Sequence, residues 1–599
     1  MKKRAEHVHA RAVAGLLARG TAIAVFAGIV ATLAWTLELA AVGAAALPAT
    51  RATIAPADTI VTHARVYTVD RTHPWAEAVA VSGGNLVAVG TEQEIAAYRG
   101  PATKVIDARG RLVLPGFADT HVHFLSGSTA LTQVPLAGTK SVAEVLERVK
   151  KYAGEHPGSG WVLGRGWDYS IFGPAALPNR KDLDAVLPDR PALLTAYDGH
   201  TTWANSKALE MAGITRDTQD PPNGKIVRDA NGEATGALKE AGSRLVRKLI
   251  PAPTRDDNRA ALRRGFAEAN RFGVVRVHSC GGDFDSFDLY DELRRGGDLT
   301  VRFYISYFLD PPELTPEEIE KVEAARKQYT GPWLSAGAVK TMIDGVIESH
   351  TAFMLSPYSD DSNLIGKPFW DPVKYKAAIA ELDRRKFQIF THAIGEGGVR
   401  LVLDAYRDAA TANGARDSRH RIEHIETISA VDIPRFGSQG VVASMQPLHS
   451  YPDADTLDVW ARNAGPERVT RAWPWRTILA DGGRLAYGSD WPVVTISPWP
   501  GLQTAVTRQT HEGTPAGGWQ PNLAITIQQA VEAYTLGAAY AGHFEKTEGS
   551  LETGKVADLI IVSQDIFKID PHALDKTEVL LTMVGGKVVY KSAALNPEK

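Results

Sequence analysis

From residue 116 onward the chain repeats one pattern: a short apolar run closed by a polar residue, then a longer stretch of helix formers. Eight such runs stand at 116–123, 273–279, 301–308, 335–344, 387–393, 420–426, 440–447 and 484–490. The segments between them, such as PEEIEKVEAARKQY at 316–329, are mostly long enough for a crossover helix. Strands alternating with helices predict parallel βαβ units, and eight of them predict a (β/α)8 barrel over 116–540. The gap at 124–272 is too long for one crossover. It predicts an inserted cap over the barrel mouth, holding the Pro- and Trp-rich stretch 157–205.

The flanks have a different texture. Residues 58–115 alternate short apolar runs with turn signals and read as consecutive antiparallel strands, with Gly83-Gly84-Asn85 as a hairpin turn. The runs KVADLIIVSQD at 555–565 and VLLTMVGGKVVYK at 579–591 repeat that texture. Two half-sheets at opposite ends predict one small β domain assembled from 51–115 and 541–599, since domain termini commonly lie close together.

Residues 1–50 stand apart. Lys2, Lys3, Arg4, Arg11 and Arg19 precede an uncharged stretch at 20–37 and a small-residue tract, LAAVGAAALPA. A basic start, an apolar run and small residues are the order of an export signal. The run is also just long enough to span a bilayer, so a cleaved signal and an uncleaved tether both stand. Either places the main body outside the cytoplasm, periplasmic or extracellular if the signal is cleaved.

Composition narrows the chemistry. Lys+Arg 66 against Asp+Glu 69 leaves −3, so no charge excess points to nucleic acid. With Cys280 as the one cysteine, an intramolecular disulfide, thiolate zinc fingers and iron–sulfur clusters are excluded. The candidate chemistry therefore falls on polar residues at the ends of the apolar runs, which converge on one site in a barrel. These are His121, His123, Lys340, His392, His424 and Asp490.

His121 and His123 are two residues apart, which on a strand points both imidazoles to one face and one ion. His392 and His424 each close an apolar run before an acid; singly each reads as structural, and together as ligands. Lys340 lies inside an apolar strand, where burying its charge is costly. One reading pairs it with Asp344. The other gives it a carbamate, formed with CO₂ and able to bridge two cations. Asp490, closing the last run, reads as a turn residue or as a proton acceptor beside a metal. Cys280 reads as a buried small hydrophobe, Trp161, Trp167, Tyr169 and Trp203 as core or as pocket wall, and His449, His511 and His543 as structural.

The motifs LPGFADTHVHF, TAYDGHTTWANSKALEMAGI, GALKEAG, GAVKTMIDG, THAIGE, RIEHIE, YGSDWPV and GSLETGKVADLIIVSQD follow in order from about 58 to 590. On them the chain resembles the amidohydrolase superfamily, and within it family 3 with its N-substituted formamide deformylase-like enzymes. The resemblance implies a distorted TIM (β/α)8 barrel with an inserted cap beside a composite β-sandwich, and a centre of zinc or another divalent metal, in one or two ions. His121, His123 and Asp490 would hold the more buried ion, His392 and His424 the second, and carboxylated Lys340 would bridge them. It further implies that hydroxide formed from a bridging water attacks an amide-like carbonyl of a small molecule. Asp490 would carry the proton to the leaving nitrogen. Asp198, His200, Trp203 and Asn205 lie in the motif placed around the substrate, with His200 as carbonyl polariser or as a structural residue. An esterase or lactonase would use the same centre, and a binding protein that kept the fold would need no turnover.

Overall fold

The computed structural model describes residues 54–158, 160–173 and 177–595. The basic and apolar segment read as an export signal or tether lies outside the described residues. Among the described residues, no helix is long and apolar enough to cross a membrane.

Eight strands form one parallel sheet in chain order. They are β1 (Phe117–Val122), β2 (Val274–Ser279), β3 (Arg302–Phe308), β4 (Leu334–Met342), β5 (Gln388–Ala393), β6 (Arg421–His424), β7 (Val442–Met445) and β8 (Arg484–Tyr487). Each matches one of the apolar runs. Their high apolar content follows from burial on both faces, by the barrel interior and by the outer helices, and polar exceptions such as Asp119, Arg276, Lys340, Arg421 and Glu423 are buried as well. The helices start where the sequence supplies caps: Thr315 caps Pro316–Gln328 with Glu318 in a capping box, and Asp371 caps Pro372–Arg384. The circle closes at the mouth rather than through a long ladder. There Val122 bridges Trp491 in parallel sense, and the Asp490 N–H donates to the His121 carbonyl at 2.6 Å. Gly488 permits this approach, because a Cβ there would lie 2.6 Å from the His121 nitrogen.

The insertion leaves at the end of β1 and carries its own six-stranded sheet, from Val134–Pro135 to Ala234–Glu240. The helix Arg255–Arg271 then serves as the crossover into β2. Trp167, Tyr169 and Trp203 are buried in the insertion's core and Trp161 packs against a neighbouring cluster, so the pocket-wall reading of these aromatics is corrected. Small strands and helices around them supply too little apolar volume without large rings inside.

The β domain does join both ends of the chain. Leu112–Pro115 pairs antiparallel with Leu559–Val562 in a six-stranded sheet, packed against a four-stranded sheet from residues 59–107. The hairpins at 78–90 and 579–591 turn through Gly83-Gly84 and Gly585-Gly586, all at positive φ. The expectation of antiparallel pairing throughout is corrected. Thr59–Thr62 pairs parallel with Lys104–Asp107, and Arg65–Tyr67 parallel with Leu112–Pro115. The connections are long enough for crossovers, the first carrying the helix Glu92–Ala96. Buried ion pairs tie this domain to the barrel: Arg302 to Asp558 at 2.7 Å and Arg276 to Glu548 at 2.5 Å.

Candidate active site

The C-terminal ends of β1, β4, β5, β6 and the turn after β8 bring His121, His123, Lys340, His392, His424 and Asp490 to one end of the barrel, in a cleft of about 880 Å³. Asp490 Oδ1 lies 3.2 Å from His123 Nε2 and 3.5 Å from His121 Nε2, and Oδ2 lies 3.9 Å from His424 Nδ1. The rings of His121 and His392 sit 4.8 Å and 4.5 Å from that of His424. His123 stands just past the end of β1, as the first residue of a helix cap, so it is less buried than His121.

The backbone is bent to achieve this. His424 and Asp490 adopt left-handed φ of 77° and 60°, conformations that non-glycine residues hold at a cost and that concentrate at functional sites. Asp119 fixes the turn after β8. Its carboxylate accepts from the Ser489 N–H and hydroxyl and from the His121 N–H.

Burial drives the imidazoles of His121, His392 and His424 well below their ordinary pKa, with neighbouring positive groups adding to the shift. All three are neutral, as metal ligands must be. The donor atoms of His121, His424 and Asp490 lie within 4.8 Å of one another, and His424 Nδ1 and Asp490 Oδ1 are buried without a hydrogen-bond partner. Orphaned donors converging on one point are what a bound cation satisfies. A second trio, His121, Cys280 and Glu423, is equally close. It does not suit an ion, because burial pushes the Cys280 thiol up to about 12 and Glu423 is already paired with Arg421.

Lys340 Nζ lies 3.3 Å from His121 Nε2 and makes no ion pair among the described residues. The pairing with Asp344 is therefore excluded. Asp344 instead accepts from the backbone N–H groups of Phe353, Ile394 and Gly395, pinning the loop after β5.

The insertion contributes His200, whose Nδ1 lies 2.9 Å from Glu240 Oε2 and whose ring stands 5.5 Å from His392. Burial opposes its charge, but Glu240 and Asp198 outweigh burial and hold it at about 9. Asp198 accepts from the Tyr169 hydroxyl and the His200 N–H. Trp203 and Asn205, from the same motif, turn away: Trp203 is core, and Asn205 caps the helix Ser206–Met211.

Several site residues carry only a weak signal in the sequence. Glu423 and Arg421 sit at alternate positions of the RIEHIE run, and form a buried relay behind His121. His121 Nδ1 lies 2.7 Å from Glu423, which pairs with Arg421, which reaches His278 Nδ1 at 2.8 Å. The alternation of charge inside an otherwise apolar strand was the available clue. His449, read as structural, stacks on His424 with a 7° tilt and a centroid distance of 5.8 Å. It opens a side chamber of about 30 Å³ shared with Glu348 and Glu426, where burial pushes the Glu426 carboxyl up to about 8.

Residues 104–590 match the amidohydrolase family. The chain belongs to that family. It is an amidohydrolase in the broad sense, a hydrolase of carbon–nitrogen bonds other than peptide bonds, and the family is metal-dependent. Among relatives, "Protein LONG AFTER FAR-RED 3" of Arabidopsis thaliana is 34% identical over 89% of this chain and 92% of its own length. "N-substituted formamide deformylase" of Arthrobacter pascens is 28% identical over 89% of this chain and 98% of its own. A metal-dependent hydrolase of Pyrococcus horikoshii, known as a crystal structure, shares the fold with a TM-score of 0.68 at 24% identity, covering 86% of this chain and 99% of its own.

Proposed function

We propose that this amidohydrolase cleaves the C–N bond of a small amide or formamide, using divalent metal held by His121, His123, His392, His424 and Asp490. Lys340, as a carbamate, would bridge two ions. The observation that carries the proposal is the convergence of neutral imidazoles and a carboxylate with unpartnered buried atoms at the strand ends. Zinc suits imidazole and oxygen donors of this kind. When bound, such an ion lowers the pKa of water and polarises a carbonyl oxygen.

The chain's own residues supply the remainder. Glu423 holds the Nδ1 proton of His121, leaving Nε2 free as a donor atom. Asp490, within reach of His121, His123 and His424, takes a proton from the attacking water and passes it to the nitrogen as the C–N bond breaks. The amine then leaves neutral rather than as an amide anion. His200, held cationic by Glu240, would donate to the substrate carbonyl oxygen. The relative named as a formamide deformylase supports formamides as the first substrates to try.

A screen of formyl-, acetyl- and aryl-substituted amides with zinc-loaded protein tests this reading. Turnover of at least one class, lost on chelation, is expected; no turnover of any amide by metal-loaded protein contradicts it. Export is proposed as well, on the basic and apolar order of residues 1–50. A fusion of residues 1–55 to a reporter should place the reporter outside the cytoplasm, and a purely cytosolic reporter refutes it.

A further inference from the structure

Arg165 is a charge in the cleft that the hydrolysis described above leaves unused. It lies on the insertion strand Val162–Trp167 and lines the cleft beside Asp198, Gly199 and Asp490. Its guanidinium donates only to main chain: Nε to the Pro492 carbonyl at 3.2 Å and Nη2 to the Tyr197 carbonyl at 3.1 Å. No carboxylate forms an ion pair with it among the described residues. Burial pushes its pKa down to about 10, with Arg247 adding to the shift and the nearby Asp490 and Asp198 carboxylates opposing it, so it remains a cation at neutral pH.

Its surroundings leave the rest of the fork open. Gly199 sits at φ +86°, and a Cβ there would stand 3.3 Å from Nη2, against the guanidinium. The other charges on this wall divide into paired and unpaired. Arg244 is held by Asp310 through two bonds of 2.6 and 2.9 Å, and His200 by Glu240, while Lys248 has no ion-pair partner among the described residues. The insertion's side of the cleft thus carries two cations outside any ion pair among the described residues, the partly buried Arg165, which Asp198 and Asp490 offset only through space, and the exposed Lys248. A cation taken out of water without a counter-ion is costly, and a planar fork matches a carboxylate in two parallel hydrogen bonds.

We propose that Arg165 binds a carboxylate carried by the substrate away from the scissile bond, so that the preferred substrates are amides bearing an acidic group. This rests on the amide-hydrolase reading above and adds the substrate class. The two main-chain acceptors orient the guanidinium, and the ligand supplies the missing charge.

The test compares zinc-loaded wild type, Arg165→Gln and Arg165→Lys on two probes of equal size. One is N-benzylformamide with a para carboxylate, the other the same molecule with a para carboxamide. Wild type should favour the carboxylate, and the ratio of kcat/KM between the probes should fall by about 10–100-fold in Arg165→Gln, mainly through KM. Arg165→Lys should keep part of the preference. An equal loss on both probes, carried by kcat, would place Arg165 at the scissile carbonyl and overturn the inference; so would an unchanged ratio. If neither probe is hydrolysed, the amide reading is left to the wider screen above, and binding decides the subsite. Phenylacetate, but not phenylacetamide, should raise the thermal midpoint of wild type more than that of Arg165→Gln, and an equal rise in both overturns it.

Discussion

Replacing Glu423 by Gln removes one charge and leaves side-chain length unchanged. Glu423 is fully buried, accepting from Arg421 Nε at 2.8 Å on one oxygen and facing His121 Nδ1 at 2.7 Å with the other. A carboxylate can only accept, so His121 carries its proton on Nδ1 and presents a lone pair on Nε2, the nitrogen nearest Asp490 and Lys340. A Gln amide has one accepting edge and one donating edge. The buried Arg421 guanidinium takes the accepting edge, so the amide NH₂ faces His121 Nδ1 and drives the proton to Nε2. A protonated Nε2 cannot ligate. Losing an outer partner of this kind weakens metal binding by about 10–100-fold, equivalent to ~1.4–2.8 kcal/mol. Folding should lose about 1.5–3 kcal/mol as well, because Arg421 stays buried beside a neutral partner. Chelator-competition titrations of wild type and Glu423→Gln read the first effect, and denaturant melts of chelated protein the second. Equal metal affinity in a folded Glu423→Gln protein refutes the tautomer argument.

Lys340→Ala should lose one or both ions, with short carboxylic acids partly restoring activity by occupying the bridge, and Lys340→Arg should fare no better. Two ions per chain in a folded Lys340→Ala protein without added acid would sink the bridging role. Asp490→Asn should lower amide turnover by about 10²–10⁴-fold and turnover of a matched ester by less, since an alkoxide needs less protonation to leave. Equal losses on both would remove Asp490 from proton delivery. Asp558→Ala leaves Arg302 buried without its partner and should cost about 3–5 kcal/mol, read by denaturant melts; a change below 1 kcal/mol contradicts a stabilising role for that pair.

The barrel was legible because its strands are buried on both faces, so most appear as short apolar runs with a polar residue near the C-terminal end. His121, Lys340, His392, His424 and Asp490 were visible for the same reason: a polar group closing such a run has few roles outside a site. The relay behind them was harder to see. Glu423 and Arg421 satisfy each other, and pairing across one strand leaves no spacing signature distinct from a surface salt bridge. His449 follows β7 in a 3₁₀ turn, and only the stacking on His424 reveals its place. The parallel pairings in the β domain leave no mark on the alternation pattern, because period two is the same for parallel and antiparallel strands; connection length carries the difference.

The most direct test of the central claim is metal content measured together with turnover. Elemental analysis of purified protein should find zinc or another divalent ion in stoichiometric amount. Amide hydrolysis should vanish when a strong chelator removes it, and return when zinc or manganese is added. Full turnover by protein shown to be free of metal would contradict the account.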